Sequence, residues 1–284
     1  MPRHGCSRSS EGISPDPHAM TRMRQGRVKI PGVFQMRLDR QILLDSTRAM
    51  WHSTLDLVYP RRCESCHGAV LDEARHLCWD CMTRMQLIQR PHCDRCGDPI
   101  EGKVDYDPMC AYCSRHRIWF TRARSAVRYR GPIREVIQSF KYKNALYLGR
   151  DMNLLLLACV QAHYGAIPFD AVTSVPLFAR RERERTYNQA AVLARDLASD
   201  LRSPYDNRLV IRIRDTQTQT HLSAPERREN MTGAFVPHGS NGRQGQRLLL
   251  VDDVMTTGAT VNECARALKE AGAEYVYVAT VARG

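Results

Sequence analysis

Leu248-Leu249-Leu250-Val251-Asp252-Asp253-Val254-Met255-Thr256-Thr257-Gly258-Ala259-Thr260 decides how this chain folds. The first four residues are a continuous apolar run, which suits a central strand buried on both faces of a parallel sheet. Two acids follow, then a loop of small and hydroxyl-bearing residues. From Thr260 onward, Val261, Cys264, Ala265, Leu268 and Ala271 recur at helical spacing, and Gly272 closes the pattern. The loop offers three threonine hydroxyls and the backbone N–H groups around Gly258. A helix N-terminus carries unpaired donors and partial positive charge, so Thr256, Thr257, Gly258, Ala259 and Thr260 read as a phosphate cradle. Asp252 and Asp253 are wrong for phosphate but suit sugar hydroxyls or a metal-bound ligand. The pair together asks for a phosphorylated sugar.

Upstream, apolar periodicity places a strand between Trp119 and Arg130. A helix follows Gly131-Pro132 with Ile133, Val136, Ile137 and Phe140 on one face, and a second helix covers about Leu146 to His163. Asp170 to Val175 reads as a strand and Tyr187 to Leu201 as a helix with Ala190, Leu193, Ala194 and Leu197 inward. Arg208 to Ile213 alternates Leu209, Ile211 and Ile213 as a further strand, residues 214–235 read as a polar loop, and Tyr275 to Val281 reads as the last strand. Strands alternating with helices argue for a doubly wound α/β sheet, whose ligands sit at the C-terminal strand ends.

Eight of the eleven cysteines form four C-x-x-C pairs: Cys63/Cys66, Cys78/Cys81, Cys93/Cys96 and Cys110/Cys113. Two such pairs complete a tetrahedral zinc site, so eight thiolates make two. Successive pairing is expected, first with second and third with fourth; an interleaved cross-brace is the alternative. Gly68 and Gly97 are expected to make the knuckle turns, and His67 and His92 to stand beside the ligands. Cys159 and Cys264 read as small buried thiols on helices. A segment this short has too little core to fold without such staples, so the zinc is structural.

Composition is that of an ordinary globular protein, 43% hydrophobic and 25% charged. No apolar run approaches the ~20 residues that span a bilayer, and the basic N-terminus lacks the apolar segment of a secretory signal. A cytoplasmic address without membrane insertion is expected. Net charge is +12, and residues 1–50 carry nine Arg or Lys against four acids. That balance favours anionic partners without specifying nucleic acid. The organisation expected is a disordered basic extension over 1–38, a leading helix with the double zinc ribbon over 39–117, and a catalytic-type domain over 118–284.

The phosphate-loop run resembles the signature of type I phosphoribosyltransferases, which bind phosphoribosyl pyrophosphate (PRPP). The resemblance implies that Asp252 and Asp253 contact the ribose hydroxyls while residues 256–260 wrap the 5′-phosphate. It also places a pyrophosphate-binding loop at Val175-Pro176-Leu177. Arg180, Arg181, Arg183 and Arg185 follow, then Thr186-Tyr187-Asn188-Gln189 at a helix start, and guanidinium forks with helix N–H groups suit pyrophosphate. The alternative for the arginines is a solvated face, because Glu182 and Glu184 alternate with them. The polar stretch 215–230 is a candidate hood over PRPP, with Gln219, Leu222, Arg227 and Asn230 ordering it.

From about residue 55 the chain resembles the ComF family of competence-associated proteins. The likeness lies in the cysteine pairs, Phe140-Lys141-Tyr142, Val175-Pro176-Leu177, Arg185-x-x-Asn188-Gln189, Gln219-x-x-Leu222, Glu226-Arg227, Asn230, Ala234-Phe235 and the PRPP signature. Family members usually carry Gly-Phe where this chain has Thr186-Tyr187. The resemblance implies a type I phosphoribosyltransferase domain behind a zinc-ribbon module, with Mg²⁺-dependent displacement of pyrophosphate at the ribose anomeric carbon. The acceptor is open, because Thr256 stands where hypoxanthine-type enzymes carry an Asp. The alternatives are a PRPP-responsive protein holding single-stranded DNA alongside DNA-uptake proteins, and a non-catalytic scaffold.

Overall fold

The computed structural model describes residues 61–284, apart from 71, 73, 74, 103, 104, 107, 217–222 and 240–243. The basic extension, the leading helix before Pro60, and Gln219 and Leu222 of the hood lie outside the described residues.

The two halves of the cysteine module are built alike. In each, the first C-x-x-C pair makes a knuckle and the second sits at the start of a short helix, α1 (Trp79–Thr83) or α2 (Ala111–Arg115). The Cys63 N–H donates to the Gly68 carbonyl at 2.8 Å, and the Cys93 N–H donates to the Asp98 carbonyl at 2.8 Å. The left-handed residue of the second knuckle is Gly97 (φ 68°), where a Cβ would lie 2.7 Å from the Ala123 carbonyl oxygen. In the first knuckle it is His67 (φ 60°) rather than the expected Gly68. That position is exposed, and nothing forbids its side chain.

Four parallel strands make the main sheet: β1 (Arg122–Arg128), β2 (Ala171–Ser174), β5 (Arg247–Met255) and β6 (Tyr275–Arg283), in the order β1-β6-β5-β2. Leu248, Leu249, Leu250 and Val251 are all buried, as an inner strand covered on both faces requires. β5 does not stop at the acids, because its pairing with β6 continues through Asp252↔Thr280 to Met255↔Arg283. β2 does stop, at Ser174↔Val251. Asp252 and Asp253 therefore emerge where one neighbouring strand has ended, which opens the crevice used by ligands in such sheets.

One face of the sheet is covered by α3 (Pro132–Tyr142), α4 (Gly149–Tyr164) and, after the short helix α5 (Ala179–Arg185), by α6 (Gln189–Asp200). Ile133, Val136, Ile137, Phe140, Leu193 and Leu197 pack there with Leu249 and Val251. The other face takes a two-stranded antiparallel sheet, β3 (Val210–Arg212) with β4 (Phe235–Pro237), and α8 (Ala259–Glu270). Leu248 and Leu250 pack there with Phe235, Val261, Cys264 and Leu268. The cysteine module straddles the sheet edge. Cys63 and Cys81 join the first core and Cys93, Cys96 and Cys113 the second. Between them, Leu87 bridges Val127, and the Ile88 N–H donates to the Ala126 carbonyl, covering the open edge of β1.

Two expectations need correction. The β3 segment buries Leu209 and Val210, whereas Ile211 and Ile213 are exposed, since a strand this short pairs only with β4 and covers α8 on one side. Residues 214–235 are not all loop: they contain α7 (Ala224–Met231) and the start of β4. α7 opens on a capping box in which Ser223 and Glu226 satisfy each other's donors. Cys159 and Cys264 are buried free thiols. No helix among the described residues is long and apolar enough to cross a membrane.

Candidate functional site

Two sites are assembled, and the cysteine clusters are the simpler. Cys63, Cys66, Cys78 and Cys81 converge with all sulfurs within 4.8 Å of one another, and so do Cys93, Cys96, Cys110 and Cys113. The pairing is successive, not cross-braced. Tetrahedral zinc with bonds of about 2.3 Å places its sulfurs about 3.8 Å apart. Cys66 and Cys78 Sγ stand 3.5 Å apart, and Cys96 and Cys110 Sγ 3.7 Å. Arg84 donates to Cys81 Sγ at 3.1 Å and the Cys110 N–H to Cys93 Sγ at 3.3 Å, the contacts that stabilise thiolate ligands. The donor sets fit two structural zinc ions, closed to chemistry. His67 is exposed beside the first cluster, and His92 is buried edge-on to His163 at 5.5 Å.

The second site is a cavity of about 250 Å³ at the C-terminal ends of β2 and β5. Of the residues singled out by sequence, Val175, Leu177, Arg185, Asn188, Gln189, Asp252, Asp253 and Thr260 line it. Pro176, Thr257, Gly258 and Ala259 are not among its walls, and Thr256 lines a neighbouring cavity. The loop from Thr256 to Thr260 turns at Gly258 (φ 78°), a left-handed conformation that favours glycine, and a Cβ there would lie 2.7 Å from the flexible Met255 Cε. Gly258 caps α8 with no side chain to cover the first-turn N–H groups, although the Ala259 N–H reaches Thr257 Oγ1 at 3.4 Å.

Asn188 has a structural task. Its Oδ1 accepts from the Ala190 and Ala191 N–H groups and its Nδ2 donates to the Val175 carbonyl at 3.0 Å, clamping the end of β2 to the start of α6. Two first-turn donors of α6 are thereby used by the chain's own cap. The arginines divide. Arg181 and Arg185 face the cavity, whereas Arg180 pairs with Asp215 at 2.7 Å on the surface and Arg183 is exposed. Arg185 donates to Gln189 Oε1 at 3.2 Å and lies over the Tyr142 ring. The Thr186-Tyr187 departure keeps the backbone expected of glycine: Thr186 is left-handed (φ 66°) at the end of α5. The Tyr187 hydroxyl donates to the Phe140 carbonyl.

Lys141, Tyr142, Ala190, Arg212, Thr216 and Val254 also line it, and none was assigned a site role from sequence. Lys141 Nζ lies 3.0 Å from Asp253 Oδ2. Its signal was present in Phe140-Lys141-Tyr142, a cation that follows the last apolar position of a helix pointing at the site. Arg212 comes from β3, where alternation hid it. Burial, with the charge of Asp253 beside it, pushes the Asp252 carboxyl up to about 7, against the pull of Lys141 and Arg212. Burial opposes the Lys141 ammonium, but Asp253 and Asp252 outweigh it and hold its pKa above the ordinary value. Burial lowers that of Arg212 despite Asp252. Two buried donors in the walls, Gln189 Nε2 and Arg212 Nε, have no hydrogen-bond partner among the described residues. A cavity with paired acids on one side and unsatisfied donors and guanidinium groups on the other suits a polyol bearing several anionic groups.

Residues 54–116 match the double zinc ribbon domain and residues 188–284 the phosphoribosyl transferase domain. Competence protein F of Haemophilus influenzae is 33% identical over 227 residues, covering 78% of this chain and 96% of the relative. DNA utilization protein YhgH of Escherichia coli K12 is 31% identical, covering 71% and 94%. Competence protein ComFC of Bacillus subtilis is 26% identical, covering 69% and 79%.

Proposed function

This chain belongs to the ComF family, with a double zinc ribbon and a phosphoribosyltransferase domain, and from that premise we propose that it binds PRPP and transfers its phosphoribosyl group. The observation that carries the reading is the cavity where Asp252 and Asp253 face Arg185, Gln189 and Arg212. Asp252 and Asp253 accept hydrogen bonds from the ribose 2′ and 3′ hydroxyls. The loop from Thr256 to Thr260 donates backbone and hydroxyl groups to the 5′-phosphate, and the N-terminus of α8 adds its partial charge. Val175, Pro176 and Leu177 shape the loop beside the pyrophosphate, with Arg185, Gln189 and Arg212 donating to its oxygens. Holding the 5′-phosphate far from the reacting carbon lets remote binding energy serve the transition state.

The leaving group carries charge that Mg²⁺, bound to PRPP oxygens, would neutralise. Both metal-binding clusters among the described residues consist of cysteine alone, so the acid pair suits a Mg²⁺ delivered on the substrate. The names of the relatives support a place in DNA uptake or use, with single-stranded DNA and DNA-uptake proteins as partners. Pyrophosphate release from PRPP with Mg²⁺ and an acceptor panel tests the transfer. Asp252→Asn with Asp253→Asn abolishes it; release that survives the double substitution contradicts it. For DNA, binding that is absent at low salt overturns the partner.

A further inference from the structure

Glu64 sits inside the first cysteine knuckle, between Cys63 and Cys66, and reaches across to the end of α3. Its Oε1 lies 3.6 Å from Lys143 Nζ, its Oε2 accepts from the Tyr147 hydroxyl at 2.8 Å, and Ser139 is hydrogen-bonded to it as well. The neighbouring Ser65 hydroxyl donates to Glu135 Oε2 at 2.7 Å. We propose that Glu64 is a positioning residue of the PRPP site, acting through the last turn of α3 on Lys141 and so on Asp253. The assignment rests on the PRPP reading of the cavity at Asp252 and Asp253.

Helix geometry divides the contacts. Glu135, Ser139 and Lys143 are spaced four apart and meet the knuckle, whereas Ile133, Val136, Ile137 and Phe140 enter the core. Lys141, midway between Ser139 and Lys143, turns the other way, onto Asp253 at 3.0 Å.

Apolar packing anchors this stretch at Phe140 and again at Ala145. Between them Tyr142, Lys143 and Asn144 are exposed, and Asn144 is left-handed (φ 53°). Polar contacts hold the residues between, from two sides. From the site come the Tyr187 hydroxyl on the Phe140 carbonyl, the Thr186 hydroxyl on Asn144 Oδ1 at 3.1 Å, and Arg185 over the Tyr142 ring. From the knuckle come Glu64 and Ser65. A cavity of about 500 Å³ otherwise lies between knuckle and helix, so these side chains rather than close packing carry the attachment.

Glu64 itself is fixed. Its N–H donates to the His76 carbonyl at 3.0 Å, and the His67 N–H closes the knuckle on the Cys63 carbonyl at 2.8 Å. The His76 N–H is seated on buried Asp151 at 3.0 Å, and its ring lies 4.6 Å from that of Tyr147. An ion pair to a lysine as exposed as Lys143 contributes little alone, so the hydrogen bonds from Tyr147 and Ser139 carry the positioning. Without them the last turn of α3 drifts. The ammonium then withdraws from Asp253, and the acid pair loses a cation that holds it for the ribose hydroxyls.

Titration calorimetry with PRPP and Mg²⁺ on the full-length, zinc-loaded protein tests this, with zinc counted in every variant. Glu64→Ala should weaken PRPP binding about fivefold or more with both zinc ions retained. Glu64→Gln keeps an acceptor for Tyr147 and should return affinity to within about twofold of wild type. Tyr147→Phe loses only a hydroxyl at an exposed position, so it tests the same path without endangering the fold and should cost about threefold. In a Lys141→Met background, Glu64→Ala should add less than about twofold, because its effect passes through the ammonium. Wild-type affinity in both Glu64→Ala and Tyr147→Phe, a loss that comes with departure of zinc or that Glu64→Gln does not rescue, or full additivity with Lys141→Met overturns the assignment and leaves the PRPP site standing. Absence of PRPP binding by the wild type contradicts the PRPP reading itself, and the assignment falls with it.

Discussion

Lys141 Nζ lies 3.0 Å from Asp253 Oδ2, so the last turn of α3 is tied by charge to the C-terminal end of β5. Both side chains are largely buried. The ammonium offsets a carboxylate that already repels its neighbour Asp252, and without it Arg212 would be left to offset both acids.

Lys141→Met is therefore expected to destabilise the fold by about 1–3 kcal/mol at neutral pH. Adding Asp253→Asn should recover a large part of that loss. Urea unfolding of the two single variants and the double variant closes the cycle; additive losses would show that the pair is uncoupled.

The raised carboxyl of Asp252 predicts a pH signature. With a folded-state value of about 7 and an unfolded value near 3.9, the folded protein binds the extra proton more tightly between them. Stability is intact below about pH 4 and falls as pH rises to about 7, after which the deficit is constant. Asp252→Asn removes this deficit, so its stability relative to wild type should grow from pH 5 to pH 7.5 and then level. A difference independent of pH contradicts the assignment. Asp253→Asn should move the midpoint downward, because the neighbouring charge is gone and Lys141 is released toward Asp252.

The cysteine geometry predicts two zinc ions per chain and a definite pairing. Cys63→Ser with Cys78→Ser removes two ligands from one cluster and should leave one zinc by elemental analysis. In a cross-brace the same double variant would damage both sites. Because each cluster packs into a different core, chelation should also loosen both faces of the sheet.

Thr186 occupies a left-handed conformation that glycine adopts without strain. Thr186→Gly should stabilise the protein by up to about 1 kcal/mol, less the extra chain entropy that glycine brings and the Thr186 hydroxyl contact with Asn144 at 3.1 Å. Gly258→Ala runs the other way. The left-handed backbone strains alanine by about 1–2 kcal/mol, and the Met255 terminus must shift to admit the Cβ, so the variant should be less stable and bind PRPP more weakly. Chemical melts and PRPP titrations read these two directly.

Much of this was legible in the sequence because the decisive residues are contiguous or regularly spaced. Leu248–Val251 could be read as an inner strand since both of its faces are apolar, and the cysteine pairs since metal ligation fixes their spacing. Asp252 and Asp253 stood out because acids follow an apolar strand. Arg212 and Thr216 were not legible as site residues, as they meet Asp252 and Asp253 only after the chain folds, and Lys141 showed only as part of Phe140-Lys141-Tyr142, with no role attached. The helix α7 was readable from Ser223-Ala224-Pro225-Glu226, a capping-box pattern, but its polar sequence carries no apolar period to reinforce it. Ile211 and Ile213 misled in the opposite direction, since alternation alone does not say which face a two-stranded sheet buries.

Titration calorimetry of the wild-type protein with PRPP and Mg²⁺, beside the Asp252→Asn/Asp253→Asn variant, tests the central claim most directly. The account predicts one PRPP bound per chain by the wild type and none detectable by the folded, zinc-loaded variant. No binding by the wild type, or equal binding by both, would contradict it.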